Sequence, residues 1–312
     1  FIVETRRNRL PDLVQLTKPR ITLMVLVSSA AGFVIGSSGR PDPLLLLATL
    51  LGIGLVAGGS SALNQLLERD IDALMERTKE RPLPTGRVTP GAAVAFAGAI
   101  SLVGIVLLAL VVNPLTALLA AIAFLSYVLL YTPLKRVSSL STLVGAIPGA
   151  LPIMGGWSAA RGELGPGAWA LFGILFFWQL PHFLALAWLF REDYRRGGLK
   201  MLGVTDPTGH QTRSQAVLYA LALIPASLLP ALLGLSGPLY AFVALSLGLG
   251  YLAAAVRFWL RADSPTARGL FRTSLVYLPL LLILLSFDSG ASRGGQPNAP
   301  GDVPAVAFIG SR

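Results

Sequence analysis

The sequence predicts an all-α integral membrane protein that crosses the bilayer nine times. Three observations lead to this prediction. Of the 312 residues, 54% are hydrophobic and only 13% are charged, whereas soluble domains carry about 25% charged residues. The hydrophobic residues form long continuous runs, and the basic residues gather at alternate ends of these runs. A lipid bilayer is therefore the expected solvent for most of the chain.

The hydrophobic runs are each long enough, or nearly so, for one membrane crossing. A transmembrane helix needs about 20 apolar residues. Runs that are broken at proline, glycine or charged residues give the predicted spans 20–37, 44–67, 90–112, 115–131, 138–158, 167–190, 214–233, 238–258 and 270–287. The runs are continuously apolar and do not alternate with polar residues, which excludes a closed β-barrel.

The basic residues give the predicted orientation. Of the 25 lysines and arginines, 21 lie in the N-terminal segment or in the loops after the second, fourth, sixth and eighth runs. Because cytoplasmic loops carry an excess of lysine and arginine, we expect these segments to be cytoplasmic and the C-terminus to lie outside the cell membrane. This distribution also accounts for much of the net charge of +10, so the charge requires no nucleic-acid partner.

The chain is expected to form one domain. The runs follow one another without a long linker, so residues 1–287 are interpreted as a single transmembrane domain. Residues 288–312 are rich in glycine, proline, serine and asparagine, and we expect this tail to be disordered. The first twenty residues have no apolar core, which argues against a signal peptide. The chain has no cysteine, which excludes thiolate chemistry and cysteine-ligated metals.

A dense polar cluster follows the second run. Asn64, Glu68 and Asp72 are spaced four apart, and on a continuing helix they share one face. Such oxygen-bearing side chains can hold Mg²⁺, which prefers a few carboxylates together with phosphate oxygens and water. The alternative is a solvated loop. Asn64 argues against it, because a polar residue within an apolar run is costly enough to suggest a role.

The same cluster contains groups suited to phosphate. Arg77 and Arg81 are also four apart, and guanidinium groups bind phosphate oxygens in pairs. Asp70 adds a further carboxylate, and its spacing from Arg77 makes these two candidates for an ion pair. Ordinary arginines of a cytoplasmic loop remain the alternative for the basic residues alone.

A second cluster begins inside the sixth run. The segment Trp178-Gln-Leu-Pro181-His182-Phe183 should be kinked at Pro181. Beyond the run come Arg191, Asp193 and Tyr194, and on a continuous helix Asp193 would share a face with His182. Because an apolar run is again followed by carboxylates and arginines, we expect the two loops to meet over one cavity. The alternatives are a structural contact for His182 and a solvated loop for the acidic pair.

A third and weaker pattern lies at the end of the fourth run. Tyr127, Tyr131 and Lys135 follow one another at intervals of four, although Pro133 interrupts the helix. A lysine at the mouth of a cavity can bind phosphate as a point charge. An interfacial belt of aromatic residues would explain the two tyrosines equally well.

At these residues the chain resembles the UbiA-type intramembrane prenyltransferases, from about Leu16 to Phe287. The resemblance is carried by Asn64…Glu68-Arg-Asp70-Ile-Asp72…Met75-Glu-Arg77-Thr78…Arg81-Pro82, Tyr131-Thr-Pro-Leu-Lys135-Arg136, Trp178-Gln-Leu-Pro181-His182-Phe183 and Asp193-Tyr194-Arg195-Arg196. The Met-Glu-Arg-Thr and Trp-Gln-x-Pro-His-Phe runs point to the heme branch. Glu68 departs from the usual aspartate, and the second loop has only Glu192 and Asp193 where other members have more acidic residues.

The resemblance implies nine helices around a central cavity. It also implies Mg²⁺-dependent transfer of a farnesyl group from farnesyl diphosphate to a vinyl group of heme B, which gives heme O and diphosphate. Heme O would then pass to a heme A synthase.

The implied site residues fall into three groups. The metal ligands are Asn64, Glu68, Asp70, Asp72 and Asp193. The substrate-binding residues are Arg77, Arg81, Tyr127, Tyr131, Lys135, Arg136, Trp178, His182, Arg191 and Tyr194. The catalytic residues are Asn64, Asp70, Asp72, Arg77, Lys135, His182 and Asp193.

Three other functions remain open at this point. A prenyltransferase for a quinone precursor or another tetrapyrrole would share the diphosphate site. A transporter would also have broken helices and polar residues in its spans, but it should place charges near the bilayer midplane, and here they cluster at one face. A structural heme-insertion subunit would need His182 but not the acidic loop.

Overall fold

The computed structural model describes residues 10–291, and within that range the regular secondary structure is entirely helical. Nine of the described helices are long and apolar enough to cross a membrane, and we label them α1–α9 in chain order. They are Pro19–Gly36, Pro43–Leu67, Pro90–Val112, Pro114–Leu134, Ser141–Arg161, Pro166–Leu189, His210–Leu232, Pro238–Arg261 and Ser264–Asp288. The predicted all-α membrane architecture with nine spans is confirmed.

Four shorter helices lie outside the spans. They are Leu10–Leu16 before α1, Arg69–Asp72 after α2, and Arg191–Arg196 and Leu202–Thr205 after α6. We call the end of the bundle that carries the start of α1 and the segments after α2, α4, α6 and α8 the loop face. The acidic and basic segments that follow α2, α4 and α6 lie at this end.

Several helix ends differ from the predicted spans. α9 begins at Ser264, six residues early, because Asp263 caps the helix by accepting a hydrogen bond from the Thr266 amide (2.8 Å). α7 likewise begins at His210. These first turns are polar, so a search for apolar runs does not include them. α9 continues to Ala291, so the start of the predicted disordered tail is helical, and residues 292–312 lie outside the described part of the chain.

Two prolines that were expected to kink or interrupt a helix, Pro181 and Pro133, lie inside spanning helices. Pro181 lies inside α6, which stays one helix from Pro166 to Leu189. α4 passes Pro133 and reaches Leu134. Spanning helices tolerate proline because neighbouring groups and local changes of helix type satisfy the freed backbone groups.

Small residues allow α1 and α5 to pack closely. A Cβ atom on Gly32 would overlap the carbonyl of Ile153, and a Cβ atom on Gly156 would overlap the carbonyl of Ser29. Close approach through small residues is typical of helix contacts in membranes, where van der Waals packing replaces the hydrophobic effect. α1 also contacts α2 and α9, so it joins the α2–α4 part of the bundle to the α5–α9 part.

The outer surface of the bundle is apolar. Large hydrophobic side chains are strongly exposed along many of the spans, including Leu44, Leu110, Leu232, Phe242 and Phe287. Exposed apolar patches of this extent mark contact with lipid or another apolar partner. This surface fits a multi-pass membrane protein.

We expect Gly32→Ala to destabilise the protein, because the added methyl group must displace the backbone of α5. Overpacking of this kind costs about 1–3 kcal/mol, which should lower the thermal unfolding midpoint of the purified protein, measured by tryptophan fluorescence. Gly98→Ala on α3 is the matched control, because a Cβ atom there meets nothing within 4 Å. Equal midpoints for the two variants would contradict the tight α1–α5 contact.

Candidate active site

One face of α2 and its extension carries the central polar residues. α2 ends at Leu67, but the Glu68 amide donates to the Asn64 carbonyl (3.0 Å) and the Asp72 amide donates to the Glu68 carbonyl (2.7 Å). The four-residue register therefore continues across the break. Asn64, Glu68 and Asp72 are only 1%, 6% and 1% exposed. The prediction that these three side chains share one face is confirmed.

Each of these three side chains contacts a cation from a different segment. Glu68 forms an ion pair with Lys135 at the end of α4. Asp72 accepts from Arg81 at 2.7 Å, and Asn64 Oδ1 accepts from the Lys18 ammonium at 2.6 Å. Buried charges need such partners because desolvation is expensive. The loop face therefore holds two carboxylates and a polar amide that are each paired with a cation and largely removed from water.

Lys18 is a site residue that the sequence analysis missed. It directly precedes the first residue of α1, in a left-handed backbone conformation with φ 49°, which non-glycine residues rarely adopt. Burial lowers the pKa of Lys18 to about 7, the positive charges of Arg81 and Lys135 act in the same direction, and Glu68 opposes them. A lysine immediately before the proline that starts a span was the available signal in the sequence.

The end of α4 brings the third predicted pattern together. Residues Ser126–Tyr131 form a π-helical turn, a feature that often occurs at functional sites. The rings of Tyr127 and Tyr131 lie 5.2 Å apart, and the Lys135 ammonium lies 4.7 Å from the centre of the Tyr131 ring. Thr132 accepts a hydrogen bond from the Asn64 side-chain amide (3.1 Å), which fastens this turn to α2.

Asp70 and Arg136 lie on the outer side of this site. Asp70 is 62% exposed, and its two oxygens accept from Arg136 at 2.8 and 2.9 Å. These hydrogen bonds lower the pKa of Asp70. The expected pairing of Asp70 with Arg77 is therefore wrong, because the loop carries Arg77 away from this side. The structure does not bring Asp70 into the buried set.

The two acidic loops meet, as their repeated pattern predicts. An apolar cluster formed by residues of both loops joins them, and its members are Ile71, Met75, Tyr194, Leu199 and Met201. Arg196 lies 3.8 Å from Glu76 of the first loop and 3.6 Å from Asp193 of its own loop. The loop after α4 joins them, since the Lys200 amide donates to the Lys135 carbonyl (2.8 Å).

Two predicted substrate-binding residues, Tyr194 and Arg77, lie between these loops, and a third, Arg191, lies against the end of α6. Burial raises the pKa of Tyr194, while Arg77 and Lys135 act in the opposite direction, so the phenol lies within electrostatic reach of both cations. Arg77 lies over the Phe190 ring (5.3 Å), and Arg191 lies over the Trp188 ring (4.6 Å). No carboxylate of residues 10–291 is within ion-pair distance of either arginine.

His182 and Trp178 lie deeper, at the contact between α6 and α9. His182 Nδ1 is 2.7 Å from the Ser274 hydroxyl, and the Trp178 indole donates to the Ser274 carbonyl (2.9 Å). α6 ends at Leu189, and Phe190 leaves the helical conformation. The Phe190 amide nevertheless donates to the Leu186 carbonyl (2.9 Å), and the Tyr194 amide donates to the Phe190 carbonyl (3.0 Å). The four-residue register therefore continues as it does at Glu68, and the expectation that His182 and Asp193 share a face stays a prediction.

The donor set fits a divalent cation together with a phosphorylated ligand. Among the described residues, histidines and carboxylates alone form no cluster of three or more that could hold a metal. Glu68 and Asp72 with the Asn64 amide are nevertheless oxygen donors of the kind that Mg²⁺ uses when phosphate oxygens complete its coordination. The neighbouring lysines and arginines supply charge complementary to phosphate.

These features define a multi-pass membrane protein with a buried, charge-paired polar site at one end of its helical bundle. The chain belongs to the UbiA prenyltransferase family, whose model matches residues 25–278. It is accordingly an intramembrane prenyltransferase, and the transporter interpretation is set aside.

Individual relatives agree with this assignment. The chain is 48% identical over 286 residues to a protoheme IX farnesyltransferase of Solibacter usitatus (strain Ellin6076), covering 89% of this chain and 98% of that protein. It is 45% identical over 277 residues to a protoheme IX farnesyltransferase of Salinibacter ruber (strain DSM 13855 / M31), with the same coverages.

Solved structures share the fold. A UbiA homolog from Archaeoglobus fulgidus bound to GPP and Mg²⁺ superposes with a TM-score of 0.68 at 16% sequence identity. The match covers 88% of this chain and 99% of that one.

The position of Lys18 predicts a pH-dependent affinity for diphosphate. An anion binds the protonated lysine better, so affinity should be full below pH 7 and should fall by up to about tenfold per unit as the pH rises further. Calorimetric titration with inorganic diphosphate and Mg²⁺ between pH 6 and 8.5 would measure this.

Lys18→Arg is the matched control, because arginine stays charged across this range and the ligand titrates identically in both experiments. Parallel pH profiles for the natural protein and this variant would contradict a role for Lys18.

Proposed function

We propose that this chain transfers a farnesyl group from farnesyl diphosphate to a vinyl group of heme B, with Mg²⁺, giving heme O and diphosphate. The observation that carries the proposal is the buried row of Asn64, Glu68 and Asp72 facing lysines and an arginine. The names of the relatives, protoheme IX farnesyltransferase, support heme as the acceptor.

The first chemical step is ionisation of the allylic diphosphate, in which the carbon–oxygen bond breaks and its electrons leave with the diphosphate. Lys135, Arg81, Lys18 and Arg77 neutralise the negative charge that develops on the leaving group. Asn64, Glu68 and Asp72 would hold Mg²⁺, which supplies further charge stabilisation as a Lewis acid. The archaeal homolog bound to GPP and Mg²⁺ supports this requirement.

Asp70 and Asp193 remain proposed as additional metal ligands. Asp193 is only 13% exposed and lies beside Arg196, so it is shielded within the second loop. Asp70 would have to release Arg136 before it could bind a metal. In the described arrangement Asp70 holds Arg136 on the outer side of the site by two hydrogen bonds. Arg136 also donates to the Leu67 carbonyl (2.6 Å).

The second step joins the allylic cation to the acceptor. The aromatic faces of Tyr127 and Trp178 can stabilise a cation, and Tyr131, Tyr194 and Arg191 would bind the substrates beside them. His182 would contact the heme, since neutral imidazole is a common iron ligand. Attack by the vinyl group places a cation next to the porphyrin. Water then adds to this cation and loses a proton, which gives the hydroxyl group of heme O.

The orientation and the biological setting are part of the proposal. The predominance of basic residues at the loop face supports a cytoplasmic location for the diphosphate site in the cell membrane, with the N-terminus inside and the C-terminus outside. The enzyme that consumes heme O would be a heme A synthase.

The activity assay uses purified protein in lipid nanodiscs with farnesyl diphosphate, heme B and Mg²⁺, and heme O is detected by mass spectrometry. Asp72→Asn should lower kcat by about 100-fold or more, because it removes a carboxylate that would hold the Mg²⁺ needed to stabilise the leaving group. Asp263→Asn is the control, because Asp263 only caps α9 and asparagine caps equally well.

Full turnover by Asp72→Asn would contradict the proposed location of the active site. Turnover that survives complete chelation of divalent cations would contradict the proposed requirement for Mg²⁺. An aromatic acid offered in place of heme tests the quinone-precursor alternative. A prenylated aromatic product without any heme O would replace the proposed acceptor.

A further inference from the structure

Ser274 on α9 contacts the proposed heme-binding residue and has no part in the chemistry described above. The side chain is fully buried. Its hydroxyl oxygen lies 2.7 Å from His182 Nδ1 and 2.6 Å from the Phe271 carbonyl oxygen. The hydroxyl also interacts with the Tyr251 phenol, whose own proton goes to the Trp178 carbonyl. The Ser274 hydroxyl thus has three polar neighbours but only one proton to donate.

The chemistry of these contacts favours one tautomer of the imidazole. A carbonyl oxygen only accepts, so the Ser274 proton is directed to Phe271. With its proton on the Phe271 carbonyl, the Ser274 oxygen is left to accept from His182 Nδ1. A neutral imidazole that carries its proton on Nδ1 has its lone pair on Nε2. Within residues 10–291, the imidazole makes no hydrogen bond other than the one through Nδ1.

The plane of the imidazole is also held. The His182 ring lies 5.3 Å from the Trp178 ring at an interplanar angle of 30° and 4.8 Å from the Phe271 ring. Trp178 is itself fixed at both ends, because its indole donates to the Ser274 carbonyl and its carbonyl accepts from Tyr251 (3.0 Å). Three helices thus hold one ring.

We infer that Ser274 is a positioning residue that keeps Nε2 of His182 unprotonated and available to the iron of the heme acceptor. The inference rests on the proposed function. Histidines that bind metals usually donate their other ring nitrogen to a neighbouring group, and this partner sets the tautomer and the ring orientation. Ser274 is such a partner for Nδ1 of His182.

The test is a titration of ferric heme B into purified protein in nanodiscs, followed by Soret absorbance and electron paramagnetic resonance. We expect the natural protein to show histidine ligation and His182→Ala to lose it. Ser274→Ala should weaken heme binding by about 10–100-fold. It should raise the KM for heme and leave both kcat and the KM for farnesyl diphosphate nearly unchanged.

Two further variants separate positioning from packing. Ser274→Thr keeps the hydroxyl and should bind heme nearly as tightly as the natural protein. Ser29→Ala removes another fully buried serine hydroxyl that donates to a helix carbonyl (Val25, 2.9 Å), and heme binding should not change.

The failures of the two proposals can be told apart. Histidine-ligated heme in Ser274→Ala at natural affinity would overturn the role of Ser274 and leave the proposed function intact. Equal increases in the KM values of both substrates, or a Ser274→Thr variant as weak as Ser274→Ala, would also overturn it. If the natural protein neither binds heme nor forms heme O, the proposed function itself fails.

Discussion

Glu68 and Asp72 lose their contact with water on folding, and each is compensated by a cation from another segment. Glu68 pairs with Lys135 of α4, and Asp72 pairs with Arg81 of the following loop. A buried carboxylate without its partner would cost several kcal/mol, so the segments that carry these cations cannot move independently. The amide of Asn64 adds contacts to Lys18 and Thr132. The loop face is therefore held by the same charges that constitute the proposed diphosphate site.

The predictions from sequence succeeded where the contacts are local. The shared face of Asn64, Glu68 and Asp72 depends only on backbone hydrogen bonds four residues apart, which continue past the end of α2. The approach of Tyr131 to Lys135 is local in the same sense, since the Lys135 amide donates to the Tyr131 carbonyl (3.2 Å) despite Pro133. The spans were also predictable, because the requirement for an apolar surface against lipid acts on every turn of a helix.

The predictions failed where distant segments decide the outcome. Lys18 contacts Asn64 across 46 residues of sequence, and Asp70 pairs with Arg136 across 66. Spacing within one loop contains no information about either contact. The starts of α7 and α9 were predicted too late in the sequence, because their first turns are polar. Hydropathy does not distinguish a polar helix turn from a loop.

The cations around the buried carboxylates have a consequence for electrical balance. With Lys18 protonated, the group formed by Lys18, Glu68, Asp72, Arg81 and Lys135 carries a small positive excess. A prenyl diphosphate accompanied by one Mg²⁺ is an ion of small negative charge, so under the proposed function its binding would offset most of this excess. The filled site would then approach electroneutrality at the edge of a medium that tolerates net charge poorly. Departure of the diphosphate would restore the positive excess, so the empty site of the proposed enzyme would again attract an anionic donor.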